Sequence, residues 1–511
     1  MTHRILLFFT LIYCSFAAFA QETTPEQIVS NLASDPAFST AYISIKAVRG
    51  DGEEIMSLNG DKMLAPASNM KLITTGAALF ALGPEYRFTT DLAYDGHISD
   101  GTLHGNLYIV GKGDPVIGSK DSVATELTET FAQWEKALKK AGIKKIEGYV
   151  VGDGRWMNGM GEDPTWQHGD LGTYYGAAVT GLMFYENMMS FSVAPGKALG
   201  EPVDITPFYP SCSWMNFRYE CTTGAAGTGD RLYMYASEFA PIAEIRGTYG
   251  LDKGKKRLDC SNKFPEYTCA VYFKNYLSQK GITCSGGAAD FKLKREWLGS
   301  KTPAEGIGTD GDSLKVIESF QSPSLKRIAF KTNHESNNLL AETLFRALGK
   351  EQTGSSCSDS SYVAIEKILK AMHVGSSGLN MQDGSGLSRQ NLVSANFICR
   401  FLGAMMDSEG FDEYIWGLPT PGGNGTLSYN MKGQAEHLRS RFHVKSGSMN
   451  GVRCYSGYVL PEGYTPKPGE EIPQEIKDKT IIFSVMTNNC VAPTWKVRSM
   501  LDRFMIELAR F

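Results

Sequence analysis

An α+β fold follows from three features of the 511-residue chain. Runs of alternating, β-branched residues lie near both ends, at 40–48 and again at 440–447, 452–460 and 480–487. Helical periodicity accompanies them, most clearly at 335–348, 394–407 and 496–509. Between the two ends, residues 90–305 change texture to short β-like runs among many glycines, aspartates and aromatic residues. The length corresponds to about three domains at roughly 150 residues each.

Composition narrows the function classes. The chain is 42% hydrophobic and 21% charged, enough to build cores and too apolar for a disordered polymer. Its net charge of −4 argues against a general nucleic-acid binder, which would be basic. No internal apolar run approaches the roughly 20 residues of a spanning helix. Collagen, coiled coil and polytopic membrane protein are thereby excluded.

The chain begins Met1-Thr2-His3-Arg4, followed by an apolar stretch over 5–19 and then Ala18-Phe19-Ala20 before Gln21. One basic residue, a short apolar segment and an A-x-A ending predict a secretory signal over 1–20, and so an exported, periplasmic protein. Cys14 follows Tyr13, too bulky for a lipoprotein cleavage site. Cleavage after Ala20 leaves nine cysteines, five of them between 212 and 284. Export permits disulfides there, and an odd total leaves at least one thiol unpaired within the chain. No CxxC or HExxH pattern points to zinc.

Residues 40–48 predict a strand, and Gly50-Asp51-Gly52 turns the chain into a second short strand at 55–58. Pro66-Ala67-Ser68-Asn69-Met70-Lys71-Leu72-Ile73 then opens a strongly apolar helix ending near Gly83-Pro84. The middle block predicts strands at 107–110 and 148–151, one helix at 122–141, and a Gly-, Pro- and Thr-rich stretch at 196–230. Helices return at 335–348 and 360–372, and the loop Asp383-Gly384-Ser385-Gly386-Leu387-Ser388-Arg389 precedes the helix at 394–407. The last helix carries Val497, Met500, Leu501, Phe504, Met505 and Leu508 on one stripe. Its mixed charges favour packing against the sheet over a membrane surface.

Three short motifs carry chemistry. Ser68 and Lys71 form the only S-x-x-K in the chain. A serine hydroxyl needs a base within hydrogen-bond reach, and residues three apart on a helix share a face. Burial lowers a lysine pKa towards a useful base, and the helix N-terminus offers N–H groups to an oxyanion. The bland alternative is an N-cap serine beside a solvated lysine. Ser336-Asn337-Asn338 opens a predicted helix, where Ser336 is either an N-cap or a proton relay and Asn338 a ligand of the substrate amide and of Lys71. Lys445-Ser446-Gly447 is the only K-[ST]-G. There Lys445 and Ser446 would meet a substrate carboxylate, and Gly447 would let the substrate backbone approach the strand edge.

In this order the three motifs resemble the active-site set of penicillin-binding proteins and serine β-lactamases. Ser68 and Ser336 lie 268 residues apart, Ser336 and Lys445 only 109. The long first interval is similar to the D-alanyl-D-alanine carboxypeptidase/endopeptidase family of the penicillin-binding-protein-4 (DacB, peptidase S13) type. Further matching runs are Gly105-Asn106-Leu107-Tyr108, Gly111-Lys112-Gly113-Asp114-Pro115, Gly152-Asp153-Gly154, the loop from Asp383 to Arg389, and Gly423-Asn424-Gly425-Thr426-Leu427. Two positions depart from the family pattern: Ser446 stands where Thr is usual, and Asn337 where Asp is frequent.

The resemblance implies an antiparallel sheet flanked by helices, with two mostly β domains inserted between the first and second motifs. The catalytic domain would comprise 21–90 and 306–511, the second domain 91–165 with 270–305, and the third 166–269. It implies acyl transfer to Ser68 with Lys71 as base, Ser336 as proton relay, and the backbone N–H groups of Ser68 and Ser448 as oxyanion hole. Arg389 would meet a stem-peptide carboxylate and Asp153 an amino group. Asp383 and Ser385 would shape their loop. The implied partners are peptidoglycan stem peptides and β-lactams as acylating inhibitors. No metal or organic cofactor is implied, no nucleic acid, and at most peripheral membrane contact; a homodimer is left open. A serine β-lactamase would need a dedicated deacylating carboxylate, which the sequence does not reveal. An inert cell-wall-binding or sensor protein would not need all three sets of reactive side chains.

Overall fold

The computed structural model describes residues 24–293, 314–467 and 469–511. The expected signal at 1–20, Cys14 and the expected domain boundary at 305/306 lie outside the described residues.

Both ends of the chain build one antiparallel five-stranded sheet, in the order Glu54–Leu58, Tyr42–Arg49, Ile481–Asn488, Val452–Val459, Phe442–Met449. Side chains along a strand alternate between faces. Accordingly Phe483 and Val485 enter one core, while Ile482 and Met486 enter another. The first core holds the helices Pro25–Ala33 and Thr494–Leu508, through Ile28, Leu32, Val497, Leu501, Phe504, Met505 and Leu508. The stripe on the last helix therefore packs against the sheet, as its charges predict. The second core holds the helices Met70–Leu82, Asn338–Thr353, Ser358–Ala371 and Ala395–Met406. Met70 through Leu79 are all buried, the polar Lys71, Thr74 and Thr75 among them. A Cβ on Gly76 would meet the Phe401 ring at 2.7 Å, so a glycine is what lets the two helices approach.

The inserted block carries a mixed sheet, in the order Gly287–Asp290, Tyr149–Asp153, Leu107–Lys112, Thr89–Tyr94, Lys315–Gln321. Strand Lys315–Gln321 was expected in the catalytic part, but it pairs along Thr89–Tyr94. The helices Leu127–Lys140 and Pro265–Gln279 cover this sheet through Phe131, Trp134, Phe273 and Leu277. The second helix was not expected; its Tyr, Phe, Val and Thr residues favour strands and mask the buried stripe Cys269, Ala270, Phe273, Leu277. Two three-stranded sheets, one around Met188–Ala194 and one around Ile242–Gly250, enclose a further core. All nine described cysteines are free thiols.

Candidate active site

The turn Ala67–Asn69 leads directly into the helix Met70–Leu82, and Ala67 holds a left-handed φ of 48°. Such backbone strain persists only where the surroundings enforce it. Here a small sheet supplies that enforcement: Met63–Leu64 pairs with Leu392–Ser394, which pairs with Leu379–Asn380. The loop between those last two strands lies on the turn. At Gly386, φ 82°, a Cβ would meet the Ala67 carbonyl at 1.9 Å.

Ser68 is half-buried, whereas Lys71 is fully buried beneath it. Lys71 Nζ lies 2.9 Å from Ser68 Oγ, 2.7 Å from Asn338 Oδ1 and 2.6 Å from the Ser385 carbonyl. Burial pulls the Lys71 pKa down to about 7, although Asp383 and Glu342 pull the other way. A neutral amine keeps two N–H donors and one lone pair. Asn338 and Ser385 absorb the two donors, which leaves the lone pair facing the Ser68 hydroxyl. That is the geometry of a general base.

Ser336 does not cap the helix Asn338–Thr353. Asn337 does, its side chain accepting from the Leu340 N–H at 3.1 Å. Asn337 Nδ2 also donates to Glu186 Oε2 at 2.7 Å. An aspartate could not donate there and would face a like charge, which accounts for the departure from the usual residue. Ser336 itself sits at φ 59°, its Oγ accepting from Lys445 Nζ at 2.9 Å.

Lys445 lies fully buried on strand Phe442–Met449, and its Nζ also donates to the Ser446 carbonyl at 2.9 Å. Burial, then the neighbouring Lys71, pushes its pKa well below the ordinary lysine value. The strand is the edge of the sheet. Val444 N–H donates outward to the Pro419 carbonyl at 3.0 Å. Hydrogen-bonding groups alternate along a strand, so Ser446 and Ser448 present theirs on that same open edge. Ser448 is exposed, and Ser446 Oγ donates to Thr426 Oγ1 at 3.3 Å.

Gly447 has a packing role that the sequence does not show. A Cβ there would meet the Pro66 carbonyl at 2.3 Å and Asn69 Oδ1 at 2.9 Å. The missing side chain admits the Ala67–Asn69 turn. The third motif is thus packed on the first, and Lys71 reaches the second through Asn338. All three share one site.

Arg389 is exposed on the rim, where its Nη1 donates to the Asn450 carbonyl at 3.3 Å. Asp153 is buried, its two oxygens accepting from Arg155 Nε at 2.9 Å and Nη2 at 2.8 Å. Binding a substrate amine would have to displace that guanidinium. The inserted block does reach the site by other residues. The Tyr175 carbonyl accepts from Asn338 Nδ2 at 2.9 Å, and Trp166 Nε1 donates to Asp383 Oδ2 at 2.8 Å.

Asp383 is indeed a loop-shaping residue: it also accepts from the N–H groups of Gly386 at 2.7 Å and Ser388 at 2.6 Å, and from Asn391 Nδ2 at 2.8 Å. Sequence reading missed the Ser385 carbonyl, because a backbone atom leaves no trace in residue identity. It also missed Glu342, four residues past Asn338 and so on the same helix face, a spacing that could have exposed it.

A model of the D-Ala-D-Ala carboxypeptidase 3 (S13) family matches residues 26–506. The D-alanyl-D-alanine carboxypeptidase of Actinomadura sp. (strain R39) is 28% identical over 462 residues, covering 88% of this chain and 80% of that one. The penicillin-sensitive carboxypeptidase A of Dictyostelium discoideum is 26% identical over 480 residues, covering 90% and 85%. The crystal structure of penicillin binding protein 4 (dacB) from Haemophilus influenzae superposes with a TM-score of 0.76 at 21% identity, covering 94% of this chain and 98% of the other.

Proposed function

The chain belongs to the D-Ala-D-Ala carboxypeptidase 3 (S13) family, and from that premise we propose that it hydrolyses D,D-peptide bonds of peptidoglycan stem peptides: the terminal D-Ala-D-Ala bond as a serine carboxypeptidase, the D-alanine cross-link as a D,D-endopeptidase, or both. The observation that carries this reading is the buried Lys71 amine, 2.9 Å from Ser68 Oγ, with its other contacts already occupied. Lys71 takes the Ser68 proton as Oγ attacks the carbonyl carbon of the penultimate D-alanine. The N–H groups of Ser68 and Ser448 hold the oxyanion, each worth about 3 kcal/mol of transition-state stabilisation. Ser336, bridged to Lys445, passes a proton to the leaving amine, and water then releases the acyl group from Ser68. Lys445 and Ser446 face the terminal carboxylate, and Arg389 a carboxylate further along the stem.

A β-lactam would acylate Ser68 and leave slowly, because its opened ring keeps the leaving amine tethered. Rapid β-lactam turnover needs a carboxylate poised on water. The carboxylates beside Lys71, Glu342 and Asp383, are buried and bonded to loop N–H groups, which disfavours a β-lactamase. The inserted block divides into two domains in this reading, and residues 1–20 direct export to the periplasm. Among the described residues no helix is long and apolar enough to cross a membrane.

Fluorescent penicillin should label the wild type and leave Ser68→Ala unlabelled. Mass spectrometry of muropeptides should then show loss of the terminal alanine from monomeric pentapeptide, splitting of cross-linked dimer, or both. Labelling that survives the substitution, or unchanged muropeptides, would overturn the assignment.

A further inference from the structure

Glu342 stands one helical turn beyond Asn338, and its carboxyl is as buried as the two lysines of the site. It makes no contact with Ser68. Its Oε1 accepts from the Ser385 N–H at 2.7 Å. The carbonyl of that same residue accepts from Lys71 Nζ at 2.6 Å. Ser385 is therefore gripped on one side by Glu342 and grips the base with the other. Thr74 Oγ1 donates to the adjoining Gly384 carbonyl at 2.7 Å, and a Cβ on Gly384 would meet the Phe345 Cβ at 2.5 Å. The loop backbone thus lies flush against both helices that carry site residues.

We infer that Glu342 is a positioning residue for the acylation step: it fixes Ser385 so that the Ser385 carbonyl holds the Lys71 amine in line with the Ser68 hydroxyl. The inference rests on the acyl-transfer reading above and adds to it a residue that touches neither substrate nor nucleophile.

Three charged groups face the Glu342 carboxyl: Asp383 from the loop, Arg346 from its own helix and Lys71 from the nucleophile helix. Arg346 is engaged elsewhere, its Nη1 donating to the Ser356 carbonyl at 3.2 Å. Burial, then Asp383, raises the Glu342 pKa to about 8. Near neutrality the group is therefore mostly the neutral acid, which keeps its acceptor oxygen without favouring the Lys71 ammonium. When ionised, it would favour the Lys71 ammonium and leave less free amine to take the Ser68 proton.

Two substitutions separate position from charge. Glu342→Gln keeps an acceptor for Ser385 and removes the ionisable group; Glu342→Ala removes the acceptor. The readout is the rate of acylation by a fluorescent penicillin as a function of pH, with melting curves to verify folding. The Ala variant should acylate at least tenfold more slowly, since small misplacements of a catalytic group carry penalties of that order. The Gln variant should recover to within about threefold of wild type. Its rise in rate with pH should follow wild type up to about pH 7, through the Lys71 titration, and exceed it above about pH 8, where wild-type Glu342 ionises. A Gln profile superimposed on wild type would overturn the charge argument, and an Ala variant as fast as wild type would overturn the positioning role. Should the Ala variant not fold, a Gln variant slower than wild type by tenfold or more at every pH would overturn it instead. A wild type that takes up no label would overturn the acyl-transfer reading, and this inference with it.

Discussion

At the scale of single residues, the site depends on groups that sequence patterns reveal unequally. Ser68 and Lys71 are legible because their contact is local: three positions on a helix fix it. Lys445 is legible as a motif, but its burial and its grip on Ser336 are long-range facts. Gly447 is legible as part of a motif, but its packing role is not. The glycine is needed because the Pro66 carbonyl would lie 2.3 Å from a Cβ, and no residue near 447 in sequence announces that neighbour. Gly447→Ala should push strand and nucleophile turn apart. A displacement of that order costs about 100-fold in rate when reacting groups must align. Stopped-flow acylation by a penicillin should show this loss while circular dichroism stays unchanged. The partner that occupies Asp153 is local in sequence: Arg155, two residues on and just past the end of the strand Tyr149–Asp153.

At the scale of elements, the loop between Leu379–Asn380 and Leu392–Ser394 holds the site together. Its glycines permit backbone-to-backbone contact, and Asp383 ties its turns from within. One of the four donors to Asp383 is Trp166, from the inserted block. Thr165 Oγ1 adds a contact to Ser388 Oγ at 2.6 Å. The insertion is thus a buttress of the catalytic loop as well as an appendage to the fold. Trp166→Phe keeps the ring and deletes one hydrogen bond to a buried carboxylate, a change worth about 1.5–3 kcal/mol. The loss should be local: hydrogen exchange at 384–389 should accelerate, and penicillin acylation should slow. Unchanged exchange would mean that the remaining three donors suffice. The run 383–389 was legible as a unit, since its glycines and aspartate mark a tight loop. Its partner Trp166 was not, because 217 residues separate them and nothing local in either segment predicts the meeting.

At the scale of the molecule, the strands at both chain ends were legible from alternation, but their neighbours were not. That Tyr42–Arg49 pairs with Ile481–Asn488, closing the sheet across more than four hundred residues, follows from shared cores that only the fold displays. The same holds for the insertion, whose sheet is completed by Lys315–Gln321 from beyond the expected boundary. Burial on this scale leaves an electrostatic cost far from the site. Asp290, on the outer strand of the inserted sheet, has its pKa raised to about 7 by burial and then by Glu266, and its Oδ2 has no hydrogen-bond partner. Asp114 is raised to about 6, again by burial. In the unfolded chain both carboxyls ionise near pH 4. Between that value and the folded one, the folded state holds a proton that the unfolded state has lost. Their stabilising contribution is therefore complete below about pH 4 and is lost as pH rises through about 6 for Asp114 and about 7 for Asp290. Asp290→Asn removes one such titration and leaves the others in place. Its melting temperature relative to wild type should thus be higher at pH 8 than at pH 5, a difference equivalent to roughly 2 kcal/mol. Differential scanning calorimetry of both proteins across that range reads the difference directly, with the other titrating groups common to the pair. A pH-independent offset would show that Asp290 already carries its charge in the folded state at pH 5.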